Sequence, residues 1–194
     1  MISSLIGFIN KQQFQPGFGG VFVNPFFISR KNLLKAMKHF SQRLHGKTLD
    51  IGCGTKPYQQ YFTNTEYIGL EIEIQTNRQE KKADFYYDGK TFPFPDGTFD
   101  SALSNQVLEH VFTPNDFLKE VNRVMKREGI LLLSVPFVWD EHEQPYDYAR
   151  YSSFGLEHIL KQNGFEVLEQ KKLGTPVETI FQLINAYLYK VTKK

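Results

Sequence analysis

Residues 48–58 read Thr-Leu-Asp-Ile-Gly-Cys-Gly-Thr-Lys-Pro-Tyr, and this stretch decides the fold. A short apolar strand runs into a Gly-x-Gly turn, after which Pro57 is expected to open a helix. Because Gly52 and Gly54 lack a Cβ, the turn can adopt positive φ and let a ligand approach the backbone closely. Asp50 places a carboxylate beside that turn. The stretch therefore predicts a ligand whose near end carries amine or hydroxyl donors rather than phosphate.

A dinucleotide-binding turn is the main alternative for this stretch. The pattern Gly-x-Gly-x-x-Gly would place glycine or alanine at position 57, for close packing of helix on strand, and Pro57 stands there instead. An NAD(P)-linked oxidoreductase is therefore disfavoured, both by Pro57 and by the carboxylate of Asp50. S-adenosylmethionine (SAM) carries an ammonium group and a sulfonium charge, and both suit a carboxylate at this place.

Length and composition are those of a single globular domain. The chain has 194 residues, of which 41% are hydrophobic, and its net charge of +2 comes from interspersed acids and bases. That charge pattern predicts no nucleic-acid partner. The one cysteine, Cys53, excludes an internal disulfide framework and fits a reducing compartment. Because the sequence shows no signal peptide and no membrane-spanning stretch, we expect a cytoplasmic protein.

From residue 46 onward, strand and helix patterns alternate. This alternation predicts a Rossmann-like, doubly wound α/β fold with a mainly parallel sheet and helices on both faces. We expect one domain over residues 1–194, with an irregular arm and a helix in 1–45, a cofactor-binding core in 46–170 and an amphipathic helix in 171–194. The predicted strands are Thr48–Ile51, Tyr67–Leu70, Asp84–Tyr87, Phe99–Ser104, Ile130–Val135 and Phe165–Leu168, and the predicted helices run from Ser29 to Gly46, Thr113 to Val124, Ser153 to Gly164 and Pro176 to Val191.

Acidic residues follow the second and third predicted strands. In a parallel sheet of this kind the ligand lies outside the carboxyl ends of the strands. Glu71 ends the second strand at the distance from Gly52 at which an acid binds the hydroxyls of a ribose. Asp88 follows the third strand and can accept a hydrogen bond from an adenine amino group, with the N–H of Gly89 beside the ring. These positions complete a predicted site for SAM.

Several stretches together resemble the class I SAM-dependent methyltransferases, of the small-molecule group with a type 11-like domain. The matching stretches are Leu-Asp-Ile-Gly-Cys-Gly after residue 48, the acid after strand 2, Asp88 ahead of Pro93-Phe94-Pro95, Phe99-Asp100, and Val-Leu-Glu-His-Val at 107–111. In this pattern Glu109 and His110 are packing residues more often than catalysts. The cofactor contacts that the resemblance implies are Asp50, Gly52, Cys53 and Gly54 around the methionine part, Glu71 at the ribose, Asp88 and Gly89 at the adenine, and Asn105 and Gln106 after strand 4.

The segment 138–151 carries the polar and aromatic residues that such enzymes use for their acceptors. Within it, the run His-Glu-x-Pro-Tyr-Asp-Tyr-x-Arg-Tyr resembles a subgroup found among predicted methyltransferases of bacterial surface-glycan pathways. The predicted catalytic residues are His142, Asp147 and Arg150, and the predicted acceptor-binding residues are Tyr146, Tyr148 and Tyr151.

Each of these roles has a structural alternative. His142 suits a general base near neutral pH, or it fixes the loop through hydrogen bonds. Arg150 can clamp a carboxylate or phosphate of the acceptor, or it forms a salt bridge to Asp147 or Glu143. The tyrosines line a pocket or only pack. No metal ion is expected, because the spacing of His142, Glu143 and Asp147 matches no standard ligand pattern.

The sequence lacks the antiparallel seventh strand with which this fold usually ends. After Leu168 only a short polar link and an amphipathic helix follow. The apolar stripe of that helix packs on the sheet, forms a homodimer contact or lies on a membrane surface with the help of Lys190, Lys193 and Lys194. The stripe consists of Ile180, Leu183, Ile184, Tyr187, Leu188 and Val191.

Two functions remain open from the sequence. The first is a SAM-dependent methyltransferase that acts on a small-molecule or glycan-linked acceptor, with oxygen as the favoured atom. The second is a non-catalytic SAM-binding partner of another protein, which uses the C-terminal helix for that contact. The acceptor is not specified, because the residues that would bind it lie in the irregular segments 1–28 and 138–152.

Overall fold

A computed structural model describes residues 12–73 and 81–192 of the chain, together with Gly7 and Ile9. It divides into two compact units, one made of the described residues up to Ser41 and from Lys171 onward, and one made of Gln42–Gln170. The helices are α1 (Gly20–Val23), α2 (Phe27–Phe40), α3 (Pro114–Val124), α4 (Ser153–Gln162) and α5 (Pro176–Thr192), and the strands are β1 (Gly46–Ile51), β2 (Thr65–Ile72), β3 (Phe85–Tyr87), β4 (Phe99–Asn105) and β5 (Met125–Ser134).

The larger unit is built on a five-stranded sheet in the order β3-β2-β1-β4-β5, in which every pairing is parallel. The strand order reverses beside β1, because β2 leaves on one side and β4 on the other. Such a reversal opens a crevice at the carboxyl ends of the two central strands. Leu49 and Ile51 of β1 are fully buried, as expected for a central parallel strand that is covered on both faces. The predicted fold class is therefore confirmed.

The smaller unit pairs α2 with α5. Gln182 of α5 is buried, and its Oε1 accepts hydrogen bonds from the backbone N–H groups of Ile28 and Ser29 at 3.0 and 3.1 Å. Its Nε2 donates to the carbonyl of Pro25 at 2.8 Å. A side chain of α5 thus satisfies two of the donors that the first turn of α2 leaves unpaired. The sequence could not predict this cap, because it joins residues far apart in the chain.

The N-terminal region differs from the prediction in two ways. The arm predicted as irregular over residues 1–28 contains α1 in its described part, and α2 begins at Phe27 rather than at Ser29. Ser29 does not cap the helix, since its hydroxyl donates to the carbonyl of Phe26 at 3.0 Å. Gln182 supplies the cap instead, which lets the helix start earlier.

Two predicted elements of the core are absent. The helix expected to open at Pro57 is a turn followed by the 3-10 helix Gln59–Tyr61, because the chain bends to bury the side chains of Tyr58 and Phe62. The strand predicted at Phe165–Leu168 is not formed. Phe165 and Val167 pack against the core, and the side chains of Glu166 and Leu168 between and after them face solvent. The segment forms no backbone ladder with the described strands.

Strand β5 is longer than predicted. It begins at Met125, which pairs with Phe99, and a register shift follows before Ile130 resumes the ladder. Glu128 in the shifted stretch has a φ of 65°. The start of this strand could not be predicted from the sequence, because the bulge contains the polar residues Lys126–Glu128, which interrupt the apolar pattern.

Candidate active site

The turn after β1 is held against β2 by backbone hydrogen bonds. The N–H groups of Gly52 and Cys53 donate to the carbonyl of Leu70 at 2.8 and 3.2 Å. Gly52 has a φ of 70°, and a Cβ there would lie 2.5 Å from Cγ2 of Val107. Gly54 has a φ of 53°, and a Cβ there would meet nothing within 4 Å. Gly52 is therefore required by close packing, whereas no atom of the described residues lies against the Cβ position of Gly54.

Asp50 lies at the floor of this turn and is only 4% exposed. Its Oδ2 accepts a hydrogen bond from the hydroxyl of Tyr67 at 2.5 Å. Burial raises the pKa of Asp50 from 3.8 to about 7, against the opposing effect of the Tyr67 hydrogen bond, and the nearby charge of Glu71 adds to the rise. A buried carboxyl group with this environment favours a cation at close range, and the ammonium group of SAM is such a cation.

Cys53 packs inside the turn. Its side chain is 3% exposed, and a Cβ on Gly69 would lie 2.8 Å from its sulfur. Burial raises the pKa of the Cys53 thiol to about 12, so the sulfur stays protonated and is not nucleophilic. The side chain of Cys53 is therefore a small packing group of the turn.

Glu71 ends β2 and faces the same turn. Its Oε2 accepts a hydrogen bond from the N–H of Gly54 at 2.9 Å and lies 3.5 Å from Nζ of Lys81. Asp88 is more remote and exposed, and its Oδ1 accepts from the N–H groups of Lys90 and Thr91 at 2.9 and 3.0 Å. These two bonds lower the pKa of Asp88 and shape the loop in which Gly89 has a φ of 84°. The structure thus places Glu71 against the Gly-x-Gly turn and Asp88 on the neighbouring loop.

The ends of β4 and β5 are joined by a polar cluster. Ser134 accepts from Gln106 twice, at its carbonyl from the backbone N–H at 2.9 Å and at its hydroxyl from Nε2 at 3.3 Å. The same hydroxyl donates to Oδ1 of Asn105 at 2.7 Å. Gln106 has a φ of 57°, a strained value for a residue other than glycine. Asn105 and Gln106 are predicted cofactor contacts, and Ser134, which ends β5 and joins them in this cluster, was not predicted.

The loop after β5 is organised by Arg150. Its two terminal nitrogens donate to the two carboxylate oxygens of Asp147 at 2.6 and 2.7 Å. It also donates to the carbonyls of Trp139, Asp140 and Ala149 at 3.4, 3.3 and 2.7 Å. The guanidinium group holds the pKa of Asp147 well below its usual range. The structure therefore shows the salt bridge that was the alternative to an acceptor clamp.

His142 belongs to the same network. Its backbone N–H donates to Oδ2 of Asp147 at 3.0 Å, and its Nδ1 lies 3.1 Å from the same oxygen. The three predicted catalytic residues are thus brought together, with Asp147 between the other two. Nδ1 also lies 3.2 Å from the carbonyl of Asp140 and 3.4 Å from Nη2 of Arg150. Because the two acceptors are closer than the donor, they favour the proton on Nδ1 and leave Nε2 as the nitrogen that can accept one.

The three tyrosines of the loop differ in exposure. Tyr146 and Tyr148 are 54% and 45% exposed, and the ring of Tyr148 packs edge-to-face on Phe112 at 5.2 Å. Tyr151 packs against the core, where burial raises the pKa of its phenol. Tyr146 and Tyr148 are available to an acceptor, and Tyr151 mainly supports the loop.

Glu109 is buried, in agreement with a packing residue, but its carboxylate is unpaired. It lies in the 3-10 helix Leu108–His110 after β4, and neither of its carboxylate oxygens has a hydrogen-bond partner among the described residues. Burial raises the pKa of Glu109 to about 7. The ring of the adjacent His110 packs edge-to-face on that of His142 at 4.8 Å. In the sequence, Glu109 stands out only as an acid inside an apolar run. The sequence does not show that the loop after β5 brings His142 close to it.

A parallel sheet that reverses beside β1, with an acid and a Gly-x-Gly turn after β1 and a second acid ending β2, is the arrangement of Rossmann-like domains that bind nucleoside cofactors. Residues 49–133 match the sequence model of a family described as a methyltransferase domain. Residues 49–133 therefore carry a methyltransferase domain, in agreement with the predicted type 11-like domain, and SAM is the cofactor of such domains.

Known proteins similar to this chain agree with that assignment. An uncharacterized protein of Methanocaldococcus jannaschii is 25% identical over 80% of this chain and 78% of its own length. The malonyl-[acyl-carrier protein] O-methyltransferase of Legionella pneumophila is 23% identical over 72% of this chain and 58% of its own. The crystal structure of a SAM-dependent methyltransferase from Aquifex aeolicus is 20% identical, with a TM-score of 0.56 over 87% of this chain and 92% of that one.

The similarity to curated relatives often covers only part of them. Two further relatives from Methanocaldococcus jannaschii are matched over 50% and 44% of their own length. Among the described residues, no helix combines the length and apolar character that crossing a bilayer requires.

Proposed function

We propose that the protein transfers a methyl group from SAM to a hydroxyl oxygen of a small-molecule or glycan-linked acceptor. Two features at the carboxyl ends of the strands of the larger unit support the proposal. A turn with a buried carboxyl group at Asp50 follows β1, and a network of His142, Asp147 and Arg150 follows β5. The oxygen preference is supported by the O-methyltransferase among the relatives.

The turn after β1 fits the cofactor. Asp50 would hold the ammonium group, and the backbone of Gly52, Cys53 and Gly54 would line the methionine part. Glu71 would accept from the ribose, with its carboxylate oriented by the N–H of Gly54 at 2.9 Å. The remaining proposed contacts are Asp88 and Gly89 near the adenine, and Asn105 and Gln106 on the other side of the turn.

The loop after β5 would bind and activate the acceptor. When bound, SAM supplies a methyl group on a positively charged sulfur, and the carbon–sulfur bond breaks with both electrons on a neutral thioether. Nε2 of His142 would take the proton of the acceptor hydroxyl, and the loop would hold that oxygen against the methyl group. Asp147 and Arg150 act as positioning residues that orient the imidazole. Holding the oxygen in this geometry can lower the barrier by about 7–11 kcal/mol.

The test is methyl transfer from methyl-labelled SAM to a panel of hydroxyl, carboxyl and amino acceptors. We expect label in hydroxyl acceptors and stoichiometric S-adenosylhomocysteine. His142→Ala should lower kcat by about 10²–10⁴-fold with the SAM affinity unchanged. The matched control is His158→Ala, which alters an exposed histidine on α4 and should leave kcat as it is. Transfer to amino acceptors alone would contradict the proposed oxygen acceptor.

A second candidate is a SAM-binding partner protein without its own acceptor. It is favoured by α5, whose side chains Ile180, Phe181 and Tyr187 are 58%, 61% and 66% exposed. An apolar face of that size suits contact with another protein or a second copy of the chain. Under this alternative, the protein binds SAM with micromolar affinity, but no member of the acceptor panel becomes labelled.

A further inference from the structure

Three side chains that can bind metal ions meet at the carboxyl ends of β4 and β5. Glu109 and His110 come from the 3-10 helix after β4, and His142 comes from the loop after β5. One ligand atom of each lies within 4.8 Å of the others. The set differs from His142, Glu143 and Asp147, the residues whose spacing suggested that no metal would bind.

The carboxylate of Glu109 is the first reason to expect a cation there. The side chain is fully buried, and within residues 12–73 and 81–192 neither of its oxygens has a hydrogen-bond partner. A buried carboxylate without partners is unfavourable, so such groups are normally paired with a cation. The nearest candidate partner is Nε2 of His110, 4.0 Å from Oε1, which is too far for a hydrogen bond. A gap of that length between two donor atoms leaves room for an ion.

The histidines are the second reason, because each is anchored through Nδ1. Nδ1 of His110 lies 2.7 Å from the carbonyl of Tyr146, and a carbonyl only accepts, so this nitrogen carries the proton. Nδ1 of His142 lies 3.1 Å from Oδ2 of Asp147 and 3.2 Å from the carbonyl of Asp140, which are both acceptors and both closer to it than Nη2 of Arg150, a donor at 3.4 Å. In both rings Nε2 is therefore the nitrogen with a free lone pair. Histidines that bind metals show this pattern, with the second ring nitrogen donating to a carboxylate or carbonyl.

We propose that Glu109, His110 and His142 bind one divalent transition-metal ion, with Zn²⁺ as the best fit, through a carboxylate oxygen and two Nε2 atoms. Two imidazoles and one carboxylate suit zinc and its neighbours rather than calcium or magnesium. With metal–ligand distances of about 2.0–2.2 Å, neighbouring ligand atoms lie roughly 3.4 Å apart, so the cluster closes by about 1 Å on binding. The side chain of His142, which is 33% exposed, has room for that movement.

Three protein ligands leave a coordination position open, as in catalytic zinc sites. The following consequence rests on the proposed function, although metal binding itself does not. An acceptor hydroxyl in the open position would have its pKa lowered by the ion. In the metal-loaded protein the ion would then activate the hydroxyl, and His142 would serve as its ligand instead of as the base.

The experiment is a titration of the whole chain with Co²⁺ and Zn²⁺ in the absence of SAM, after treatment with a chelator. Co²⁺ is followed by its visible absorption and Zn²⁺ by competition with a chromophoric chelator. We expect one ion per chain, and an affinity at least about 100-fold lower in Glu109→Gln and in His142→Gln. Asp147→Asn, which weakens the anchor of His142 and the Arg150 ion pair without altering a proposed ligand, should lower the affinity by about 10–100-fold. The matched controls Glu166→Gln and His158→Gln alter exposed residues and should bind as wild type does.

The variants also guard against a failure to fold. Glu109→Gln changes a buried residue, whereas His142→Gln changes a partly exposed one, and circular dichroism reports the fold of each. The proposal is overturned if folded wild type binds less than one tenth of an equivalent, or if His142→Gln binds as tightly as wild type. Since SAM and acceptor are absent, either result leaves the methyltransferase function standing.

Discussion

The turn after β1 and the loop after β5 are built in different ways. The turn takes its shape from backbone, with two positive-φ glycines and amide groups that donate to Leu70 and Glu71. The loop takes its shape from side chains, with one arginine bonded to a carboxylate and three carbonyls. We infer that changes in the turn alter SAM affinity, whereas changes in the loop alter turnover and leave SAM affinity intact.

The largest expected effect comes from Asp50 and depends on pH. Its pKa in the folded protein is about 7, above the ordinary 3.8. Between about pH 4 and 7 the folded state therefore keeps a proton that the unfolded state releases, and the free energy of unfolding falls as pH rises. The loss reaches roughly 4 kcal/mol and is complete above pH 7. Urea unfolding of wild type and Asp50→Asn at pH 4.5 and 8 measures it as the difference between the two proteins.

The same urea measurement can contradict this account of Asp50. Asp50→Asn should gain stability relative to wild type as pH rises, because the amide cannot ionise. An unchanged difference between the two proteins at both pH values would mean that Asp50 is solvated, and the turn would then lack the buried acid assigned to it.

Arg150→Ala should have the next largest effect, and on the loop side. It leaves Asp147, whose side chain is 4% exposed, without its bidentate partner, and should cost about 2–3 kcal/mol of stability. The matched control is Arg127→Ala, whose side chain is 97% exposed. Turnover should fall while SAM affinity stays within about twofold of wild type. A large loss of SAM affinity in Arg150→Ala would show that the turn and the loop are not separable.

Gly52→Ala should have the smallest effect on stability but a clear one on the cofactor. The φ of 70° and the approach to Val107 should cost about 1–3 kcal/mol and displace the turn. Gly97→Ala is the matched control, because Gly97 has a φ of 61° with nothing near its Cβ position. Thermal unfolding with and without SAM separates strain, which both variants share, from loss of the cofactor site. Equal stabilisation of both variants by SAM would refute a special role for Gly52.

The same contrast explains what could be predicted from the sequence. The turn was predictable because strand, acid and Gly-x-Gly are consecutive in the chain and each has a local physical requirement. The network around Arg150 was predicted only as one of two alternatives, since a charge pattern does not say which partner is close. Glu109 was assigned to packing, because its proximity to His142 depends on where the loop after β5 returns.

The errors in the fold have a related cause. Phe165–Leu168 has the alternation of a strand, yet two of its side chains pack on the core without any backbone pairing. The early start of α2 depends on Gln182, which lies in another helix. Local patterns predict which side chains are buried, but they do not say whether backbone or side chain will satisfy the polar groups.

The most direct test of the cofactor site is calorimetric titration of wild type, Asp50→Ala and the control Asp116→Ala with SAM and S-adenosylhomocysteine. Asp116 is an exposed residue of α3, so its variant should bind as wild type does. We expect micromolar binding of both ligands to wild type, and a loss of at least about tenfold in Asp50→Ala that is greater for SAM, which carries the extra sulfonium charge. No binding to well-folded wild type, or equal binding to Asp50→Ala, would contradict the placement of SAM at this turn.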